Sequence, residues 1–551
     1  MKINYISKIT QWSLLLFVLS LGACKKDKTP EEPKVDECGN TKQTPTTDRV
    51  ALTNDSIFLY AKAIYYWNEE LPCYDQFEPR QYTSGSPNLA KYESNLLAIA
   101  QATENQYDVL TYEGVDYTKF SYIENVSGNN GGATAGIKNL TSGVNLQGEG
   151  NDIGIYYLSA YYESEQSEDF KLFITAVYPG SPAASEGLTR GSTITKIGTE
   201  TIGDNWDDDI EFINQLLNDP SVIHIEGKKT DGTNYTVTLT KKKYDSSPIY
   251  KDSVLTIAGK NIGYLAYARF SDEDNSYEPL NKAFEKFAAK GIENLVVDLR
   301  YNGGGYVSTA EYLANLIVPN GTTGTMFVEH YNESLQNGKT DILKNQPVRD
   351  GSGKIIGKAT YADFDYTPQG ADNTKRFSKK GNLNGVKNVV FLVTGNTASA
   401  SELLINSLRA VSSLNVQLVG TTTYGKPVGF FPLRLEGIYD LYLPSFSTVN
   451  AKGEGDYYNG FKPGDQIAGR EMIDDIGQDL DNFSDFDFGD QHELYLAAAL
   501  NLLGINTVST TDIMSKRGEQ TTTQSVSNGV SMLHTKPENK DFKGMIETRI
   551  E

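Results

Sequence analysis

One buried strand that runs into a helix through a short turn constrains the fold of this chain more than any other feature. Residues 388–394 (NVVFLVT) are mostly apolar and β-branched, and Gly395 ends the run. Residues 399–408 then carry leucine and isoleucine at helical spacing, which predicts a helix. A second apolar strand at residues 416–420 leads to Lys426, which lies between a glycine and a proline. This order of elements predicts an α/β core.

An earlier segment repeats the pattern. Residues 294–300 (NLVVDLR) form an apolar strand whose charges lie near its end, and glycines at 303–305 follow it. A helix through residues 310–317 comes next. Because open α/β sheets hold their sites where strands end, each turn presents backbone N–H groups at a candidate site. The glycines lack the spacing of a dinucleotide fingerprint, and the chain has no P-loop, so we expect no phosphate site.

Ser399 is the candidate nucleophile of the later unit. It lies where the helix begins, so free backbone N–H groups and the positive end of the helix dipole can hold a developing oxyanion. Glu402 follows three residues later, and this spacing also fits a capping box, in which the serine only starts the helix. The residues around Ser399 leave both interpretations open.

The positions of the histidines do not favour a serine–histidine–aspartate triad. None of them lies in a strand-end turn of the kind that carries Ser399, and no HExxH motif or His/Cys cluster indicates a metal. The acidic run at residues 474–490 lacks the glycine position of a calcium loop. We therefore expect neither a metal nor another cofactor. The four histidines are His224, His330, His492 and His534.

A neutral lysine can activate a serine instead, and Lys426 is the candidate base. Its ammonium, with an ordinary pKa of ~10.4, must lose its proton more readily, through desolvation or nearby positive potential. Apolar and aromatic neighbours can dry its surroundings. These neighbours are Tyr424, Val428, Phe430 and Phe431.

The N-terminus predicts export and lipid anchoring. Lys2 and Lys8 precede a short apolar run that closes with LGAC, which resembles the lipobox of bacterial lipoproteins. We expect residues 1–23 to be a signal peptide, Cys24 to carry lipid, and residues 24–48 to form a flexible tether. The expected location is the cell envelope, with the body in the periplasm or on the cell surface. An ordinary secretory signal is the alternative.

Composition narrows the classes of partner. The net charge of −21 argues against nucleic-acid binding and against a basic membrane-binding face. In an oxidising compartment Cys38 and Cys73 are candidates for a disulfide, and the sequence leaves their pairing open.

At 551 residues the chain predicts several domains. Helical spacing begins near residue 50, and a glycine-rich stretch at 128–136 predicts a loop or boundary. A β-rich module follows, with a helix at 208–217 and strands at 153–158, 170–177, 193–197, 222–226 and 235–240. The expected domains are an N-terminal helical domain (49–140), the module (141–245), an α/β core (246–505) that ends in a helix at 491–503, and a polar tail (506–551).

The module resembles a bacterial PDZ domain over the sequence GSPAA at 180–184, followed by Gly187, Leu188 and Gly191. This resemblance implies binding of a peptide end as an added strand, with backbone N–H groups around its carboxylate. Gly154 and Ile155 are the candidate substrate-binding residues of its peptide-end loop. A spacer module is the alternative.

Three motifs together resemble family S41, the C-terminal processing (tail-specific) serine peptidases. They are DLRYNGG at 298–304, TASASE at 397–402 and TYGK at 423–426, and the likeness spans residues 50–505. The resemblance implies a crotonase-like core with Ser399 as nucleophile and Lys426 as base. It also implies an oxyanion hole formed by the backbone N–H groups of Ala400 and Gly304.

The chain departs from the family pattern at Phe430, where many members place a polar residue that orients the lysine. The expected function is a membrane-anchored serine endopeptidase that cleaves exported or envelope proteins, with a PDZ-like module that recognises a peptide tail. One alternative is a non-catalytic, peptide-binding lipoprotein, which Phe430 favours. The other is an esterase or amidase that uses the same two residues.

Overall fold

The computed structural model describes residues 44–112, 114–126, 143–162, 169–217, 220–350, 353–370, 372–472, 486–505 and 544–546. The predicted signal peptide, Cys24, Cys38 and the glycine-rich stretch at 128–136 lie outside these residues, as does most of the acidic run. Among the described residues, no helix is both long and apolar enough to cross a membrane.

The chain divides into two compact units. One holds Met1–Thr47 and Pro72–Glu78, and its described part includes the short helix Tyr74–Phe77 and Cys73, which is disulfide-bonded. The other holds Asp48–Leu71 and Pro79–Glu551, and it carries every element described below except the helix Tyr74–Phe77.

The helices confirm the predicted helical N-terminal region and the predicted helices of the core. Asn95 donates a hydrogen bond to the carbonyl of Asn54, which joins the two long N-terminal helices. Short 3-10 turns lie at Asn68–Glu70, Pro79–Gln81 and Asp341–Asn345. The α-helices are α1 (Arg49–Ile64), α2 (Tyr74–Phe77), α3 (Asn88–Gln101), α4 (Pro182–Ser185), α5 (Trp206–Leu217), α6 (Glu273–Ala289), α7 (Val307–Ile317), α8 (Glu333–Gln336), α9 (Ala400–Arg409) and α10 (Leu494–Leu502).

In the part of the chain that the structure describes, eleven strands precede the core. They are β1 (Val109–Tyr112), β2 (Val115–Thr118), β3 (Tyr122–Asn125), β4 (Glu149–Asp152), β5 (Leu158–Tyr162), β6 (Phe170–Ile174), β7 (Thr193–Ile197), β8 (Glu200–Thr201), β9 (Val222–Lys228), β10 (Asn234–Thr240) and β11 (Lys242–Asp245). In the β-rich module the strands pair in the order β10-β9-β7-β6-β5, with β8 on β7, and β4 pairs with β11. Strand β5 therefore forms an edge of this sheet.

The prediction of a strand over residues 153–158 is wrong. Strand β4 ends at Asp152 and β5 begins at Leu158, and between them Ile155 makes only an isolated bridge to Val177. Gly154 causes the break, because its φ of +90° turns the chain out of the extended conformation.

The core strands begin at Ile249. They are β12 (Ile249–Ile257), β13 (Lys260–Tyr267), β14 (Asn294–Asp298), β15 (Gly304–Tyr306), β16 (Thr325–Tyr331), β17 (Pro347–Arg349), β18 (Ile355–Thr360), β19 (Thr374–Arg376), β20 (Asn388–Val393), β21 (Asn415–Gly420), β22 (Val428–Gly429), β23 (Leu433–Leu435), β24 (Tyr439–Tyr442), β25 (Phe446–Asn450), β26 (Gly469–Glu471) and β27 (Gly544–Ile546).

The central sheet has the order β12-β13-β14-β20-β21-β26. Within this sheet the strands β13, β14, β20, β21 and β26 run parallel to one another, and β12 pairs antiparallel with β13 at the edge. Val296, Leu392 and Val419 pack with Leu496 and Ala499 of α10 on one face. Because β14 and β20 are neighbours with Asp298 opposite Leu392, the turns that follow them lie at the same edge.

Smaller sheets join distant parts of the chain to this core. Strand β3 of the N-terminal region pairs with β24, and β22 belongs to the order β19-β16-β25-β22. Strand β15 pairs with β27, which comes from the far C-terminal end of the sequence. These connections bring N-terminal and C-terminal segments to the edge where β14 and β20 end.

Candidate active site

Ser399 occupies a strained turn between β20 and α9. Its φ of +59° and ψ of −109° are unusual for a residue other than glycine, and helix α9 begins at the next residue. The side chain is fully buried, and among the described residues its Oγ has no hydrogen-bond partner. Ser399 and Glu402 take the positions of the expected capping box, but the serine hydroxyl makes no hydrogen bond to the start of the helix.

Glu402 forms the other half of that box and reaches further than a cap requires. Its Oε2 accepts hydrogen bonds from the backbone N–H of Ser399 (2.9 Å) and of Lys426 (2.8 Å). Its Oε1 accepts from the N–H of Gly425 (2.8 Å) and from the hydroxyl of Thr423. The carboxylate thus fastens the turn of the candidate nucleophile to the loop of the candidate base.

The carboxylate of Glu402 is fully buried. Burial raises its pKa, and the hydrogen bonds from Thr423, Lys426, Ser399 and Gly425 oppose this rise. From the sequence, Glu402 was expected only as a capping partner of Ser399. Its position inside the TASASE motif was the available signal for a larger role.

Gly425 fixes the backbone before Lys426. Its φ is +85°, and a Cβ at this position would lie 2.4 Å from the carbonyl oxygen of Tyr458. Both the conformation and the close approach therefore require glycine. The N–H of Tyr424 donates to the carbonyl of Thr397 at 3.0 Å, which adds a second link between the two loops.

The side chain of Lys426 is 1% exposed and lies among aromatic rings. Its Nζ lies 4.3 Å from the ring centroid of Phe430 and 5.7 Å from that of Phe120. It also donates to the carbonyl oxygen of Phe120 at 3.5 Å. Phe430 therefore contacts the amine, as expected from the sequence. Phe120 lies 306 residues before Lys426 in the chain, and nothing in the sequence connected it to the site.

The glycine turn after β14 contacts the turn of Ser399. The N–H of Ala398 (3.2 Å) and the hydroxyl of Ser401 (2.9 Å) both donate to the carbonyl of Asn302. The hydroxyl of Ser401 therefore links the two turns, whereas the hydroxyl of Ser399 makes no hydrogen bond to the described residues. Asn302 is a residue of the site that no prediction from the sequence singled out, and its place in the DLRYNGG motif was the available signal.

The two predicted oxyanion donors differ in their surroundings. Ala400 is the first residue of α9, where the N–H groups of the first turn have no acceptor within the helix. Gly304 has a φ of +111°, and its N–H donates to Oδ1 of Asn302 at 3.0 Å. The N–H of Gly304 is thus engaged by a neighbouring side chain.

Gly154 and Ile155 lie in the β-rich module. The carbonyl of Gly154 accepts a hydrogen bond from the N–H of Tyr178 at 2.9 Å. Ile155 is buried among the apolar residues of the module. They directly precede the edge strand β5.

A buried charge network links the module to the core. Nη1 of Arg190 donates to the hydroxyl of Tyr301 at 2.9 Å, and its Nη2 lies 3.6 Å from Oε1 of Glu493. The same carboxylate oxygen accepts from Arg300 at 2.9 Å. Arg300 in turn pairs with Asp298, the last residue of β14. Arg190 therefore reaches the strand end that carries the glycine turn.

Within the described part of the chain, no histidine hydrogen-bonds to Oγ of Ser399, and no cluster of three or more His, Cys, Asp or Glu could hold a metal. The partly buried His330 has its pKa lowered by burial. His534 lies outside the described residues.

Comparison with known proteins shows relatives over the part of the chain that holds these residues. Residues 261–463 match the sequence profile of Peptidase family S41, and this range includes Ser399, Glu402 and Lys426. The carboxy-terminal processing protease CtpA of Bacillus subtilis (strain 168) is 23% identical over 299 residues, which cover 54% of this chain and 53% of that protein. CtpB of the same organism is 25% identical over 303 residues, covering 52% of each chain. The chain thus spans about half the length of these curated relatives.

A solved structure resembles the fold over a longer range. The crystal structure titled "Putative S41 protease" from Bacteroides fragilis NCTC 9343 has a TM-score of 0.54 at 22% sequence identity. The match covers 85% of this chain and 100% of that one, and it concerns the fold alone. The chain therefore contains a peptidase family S41 domain and is homologous to the C-terminal processing proteases CtpA and CtpB.

Proposed function

We propose that this protein is a serine endopeptidase in which Ser399 is the nucleophile and Lys426 the general base. The observation that carries the proposal is the carboxylate of Glu402, which binds the backbone N–H groups of both residues. The buried Ser399 hydroxyl has no hydrogen-bond partner among the described residues, so it is available for reaction. The homology to C-terminal processing proteases supports the same assignment.

In the proposed reaction, the neutral amine of Lys426 removes the proton of the Ser399 hydroxyl as Oγ attacks the carbonyl carbon of a peptide bond. The C–N bond then breaks, the leaving amine takes the proton, and an acyl-enzyme remains. Water releases the acyl group with Lys426 again acting as base. Desolvation of Lys426 disfavours its charged form, which this role requires.

The negative charge of the tetrahedral intermediate needs backbone donors. The N–H of Ala400 supplies one at the start of α9. The N–H of Gly304 supplies the second once the side chain of Asn302 releases it. This release of the Gly304 N–H by Asn302 is part of the proposal.

For the substrate, we propose exported or envelope proteins that present a peptide tail. Among the described residues, β5 is an edge strand of the sheet of the β-rich module, and an extended peptide can add to such an edge as a strand. Gly154 and Ile155 are the proposed loop for the peptide end. Lipid at Cys24 would hold the protein on a membrane, with the body in the periplasm or on the cell surface.

A non-catalytic peptide-binding protein is the second candidate. One observation favours it: the ring of Phe430 contacts the Lys426 amine where many relatives place a polar residue. Ser399 Oγ makes no hydrogen bond to Lys426, but catalytic hydrogen bonds are often long in structures without substrate, so this second observation is compatible with both candidates.

The test compares the full chain, purified in detergent, with its Ser399→Ala, Lys426→Ala and Lys452→Ala variants. Each is incubated with unfolded casein from pH 6 to pH 10, and the products are read by mass spectrometry. We expect cleavage by the parent and by Lys452→Ala, the control at an exposed lysine, and none by the other two.

A fluorophosphonate that modifies active serines gives an independent readout. We expect an adduct on Ser399 in the parent and none in Ser399→Ala. Peptide binding without cleavage and without an adduct would favour the non-catalytic candidate. Cleavage that persists in Ser399→Ala would refute the assignment of the nucleophile.

A further inference from the structure

The C-terminal strand β27 lies directly on the glycine turn of the candidate active site. It runs parallel to β15, with Gly304 opposite Gly544, Gly305 opposite Met545 and Tyr306 opposite Ile546. The other side of β15 is bonded to Phe270, whose N–H donates to the carbonyl of Gly304 at 2.9 Å. Strand β15 therefore has partners on both sides, and one of them comes from the far end of the chain.

The opposite edge of β27 contacts the loop that follows Lys426. The N–H of Phe430 donates to the carbonyl of Met545 at 3.0 Å, and Phe430 forms a bridge with Ile546. The ring of Phe430 is the one that lies 4.3 Å from Nζ of Lys426. The tail segment thus lies between the loop of the proposed base and the turn of the proposed oxyanion hole.

The side chains of this segment are buried against the same elements. Met545 is fully buried and Ile546 is 5% exposed. Ile546 packs with Tyr306, Phe430, Tyr442 and Leu146. Backbone pairing on both edges, combined with apolar pockets for the side chains, is how proteins bind an extended peptide by strand addition.

We propose that residues 544–546 occupy the position of a bound peptide, so that the tail of this chain is an intramolecular inhibitor of its own active site. The inhibition of cleavage rests on the proposed function, whereas occupancy of the site by the tail does not. Because the segment competes in cis, the fraction of molecules with an empty site sets the apparent affinity for any other peptide.

Binding tests the occupancy without catalysis. The protein carries Ser399→Ala and is prepared as the full chain and as a variant that ends at Lys540. A fluorescent peptide of residues 541–551 is titrated into each, and anisotropy is measured. We expect saturable binding to the shortened variant and about tenfold weaker binding to the full chain. The same peptide with Met545→Asp should not bind, because the buried position would receive a charge.

Activity tests the inhibition in the otherwise unchanged full chain. Met545→Asp should raise kcat/KM for casein-derived peptides by about tenfold, chiefly through a lower KM. Ile355→Asp makes the same change of charge at a side chain that is 48% exposed, and it should leave the kinetics unchanged.

The outcomes separate the two proposals. Binding of the peptide to the shortened variant, with no cleavage by any protein, would support occupancy by the tail and refute the peptidase. Failure of the peptide to bind a shortened variant with an unchanged Tm would overturn the inference. A lower Tm together with lower activity in Met545→Asp would also overturn it, because the segment would then be a permanent part of the fold.

Discussion

The backbone N–H groups of Ser399 and Lys426 donate to the same oxygen atom, Oε2 of Glu402, at 2.9 and 2.8 Å. The two residues belong to different loops, one before α9 and one after β21. A single buried carboxylate therefore fixes the backbones from which the candidate nucleophile and base extend. The relation makes Glu402 a positioning residue with a measurable effect on both stability and activity.

Glu402→Gln should weaken both loops. A glutamine side chain has one acceptor oxygen, and its NH2 group would face backbone donors, so donors now bound would lose their acceptor. We expect the free energy of unfolding to fall by about 1–3 kcal/mol, as for buried groups left without partners. Because the backbones of Ser399 and Lys426 lose the carboxylate that holds both of them, the relative decrease in kcat should be larger than the relative change in KM. Urea unfolding and steady-state kinetics measure the two effects.

Glu278→Gln is the matched control, since that carboxylate is exposed on α6. This substitution should change neither the free energy of unfolding nor kcat. An unaltered kcat in a destabilised Glu402→Gln protein would show that the carboxylate only supports the fold.

Gly425→Ala should displace the loop of Lys426. The new Cβ would lie 2.4 Å from the carbonyl of Tyr458, at a φ that alanine adopts only with strain. We expect a loss of about 1–3 kcal/mol in stability, the size of a strained backbone position, and a larger relative loss of activity. Thermal unfolding and casein cleavage provide the measurement.

Gly259→Ala separates strain from steric clash. Gly259 has a similar φ of +75°, but an added Cβ there would meet nothing within 4 Å. It should cost less stability than Gly425→Ala and leave activity intact. Equal losses in the two variants would contradict the argument from the close approach to Tyr458.

Arg190→Met should be strongly destabilising. The change leaves Glu493 with less positive charge nearby and removes the hydrogen bond to Tyr301. Removing one partner from a buried ion pair lowers stability by about 3–5 kcal/mol. Tyr301→Phe deletes only the hydroxyl and should lower it by about 1–2 kcal/mol. Urea unfolding measures the decrease in the free energy of unfolding for both variants. A larger decrease for Tyr301→Phe than for Arg190→Met would contradict a network in which charge contributes most.

Lys379 gives a pH-dependent prediction away from the site. Partial burial lowers the pKa of its ammonium to about 8, and Nζ donates to the carbonyl of Leu316. Between this value and the ordinary pKa of about 10.4, the unfolded chain binds more protons at this position than the folded one. Stability contributed by Lys379 therefore rises with pH across this window.

The measurement compares the parent with Lys379→Met by urea unfolding from pH 7 to pH 10. The free energy of unfolding of the parent should increase relative to that of Lys379→Met as pH increases above about 8, because only the parent carries the titrating lysine. Lys380→Met, at the exposed neighbouring lysine, should show no such trend. A pH-independent difference for Lys379→Met would refute the lowered pKa.

Local sequence patterns were sufficient for the elements around the site. The apolar runs of β14 and β20, the turns after them and the helices α7 and α9 lie where periodicity and turn residues predicted them. The strand predicted over residues 153–158 was wrong because one glycine with positive φ interrupts an apolar run, and apolar composition does not report φ.

Hydrogen bonding within the site was less predictable. The spacing of Ser399 and Glu402 fitted a capping box and the two residues take its positions, yet only the glutamate makes its hydrogen bond. The predicted donor at Gly304 is bound to Asn302. Both results depend on side-chain directions that the backbone geometry of the turn decides, so a motif alone does not specify them.

The sequence by itself determined the strands β14, β20 and β21, the turns after β14 and β20 and the helices α7 and α9, and it singled out Ser399 and Lys426 as the candidate pair. Only the tertiary structure decided what surrounds them: Phe120 on the amine of Lys426, Arg190 on Tyr301, and Met545 beside Phe430. The physical reason is the distance along the sequence over which each interaction acts. Periodicity and turn chemistry act over a few residues, whereas these contacts join segments more than 100 residues apart, and their selection depends on how the packed core closes.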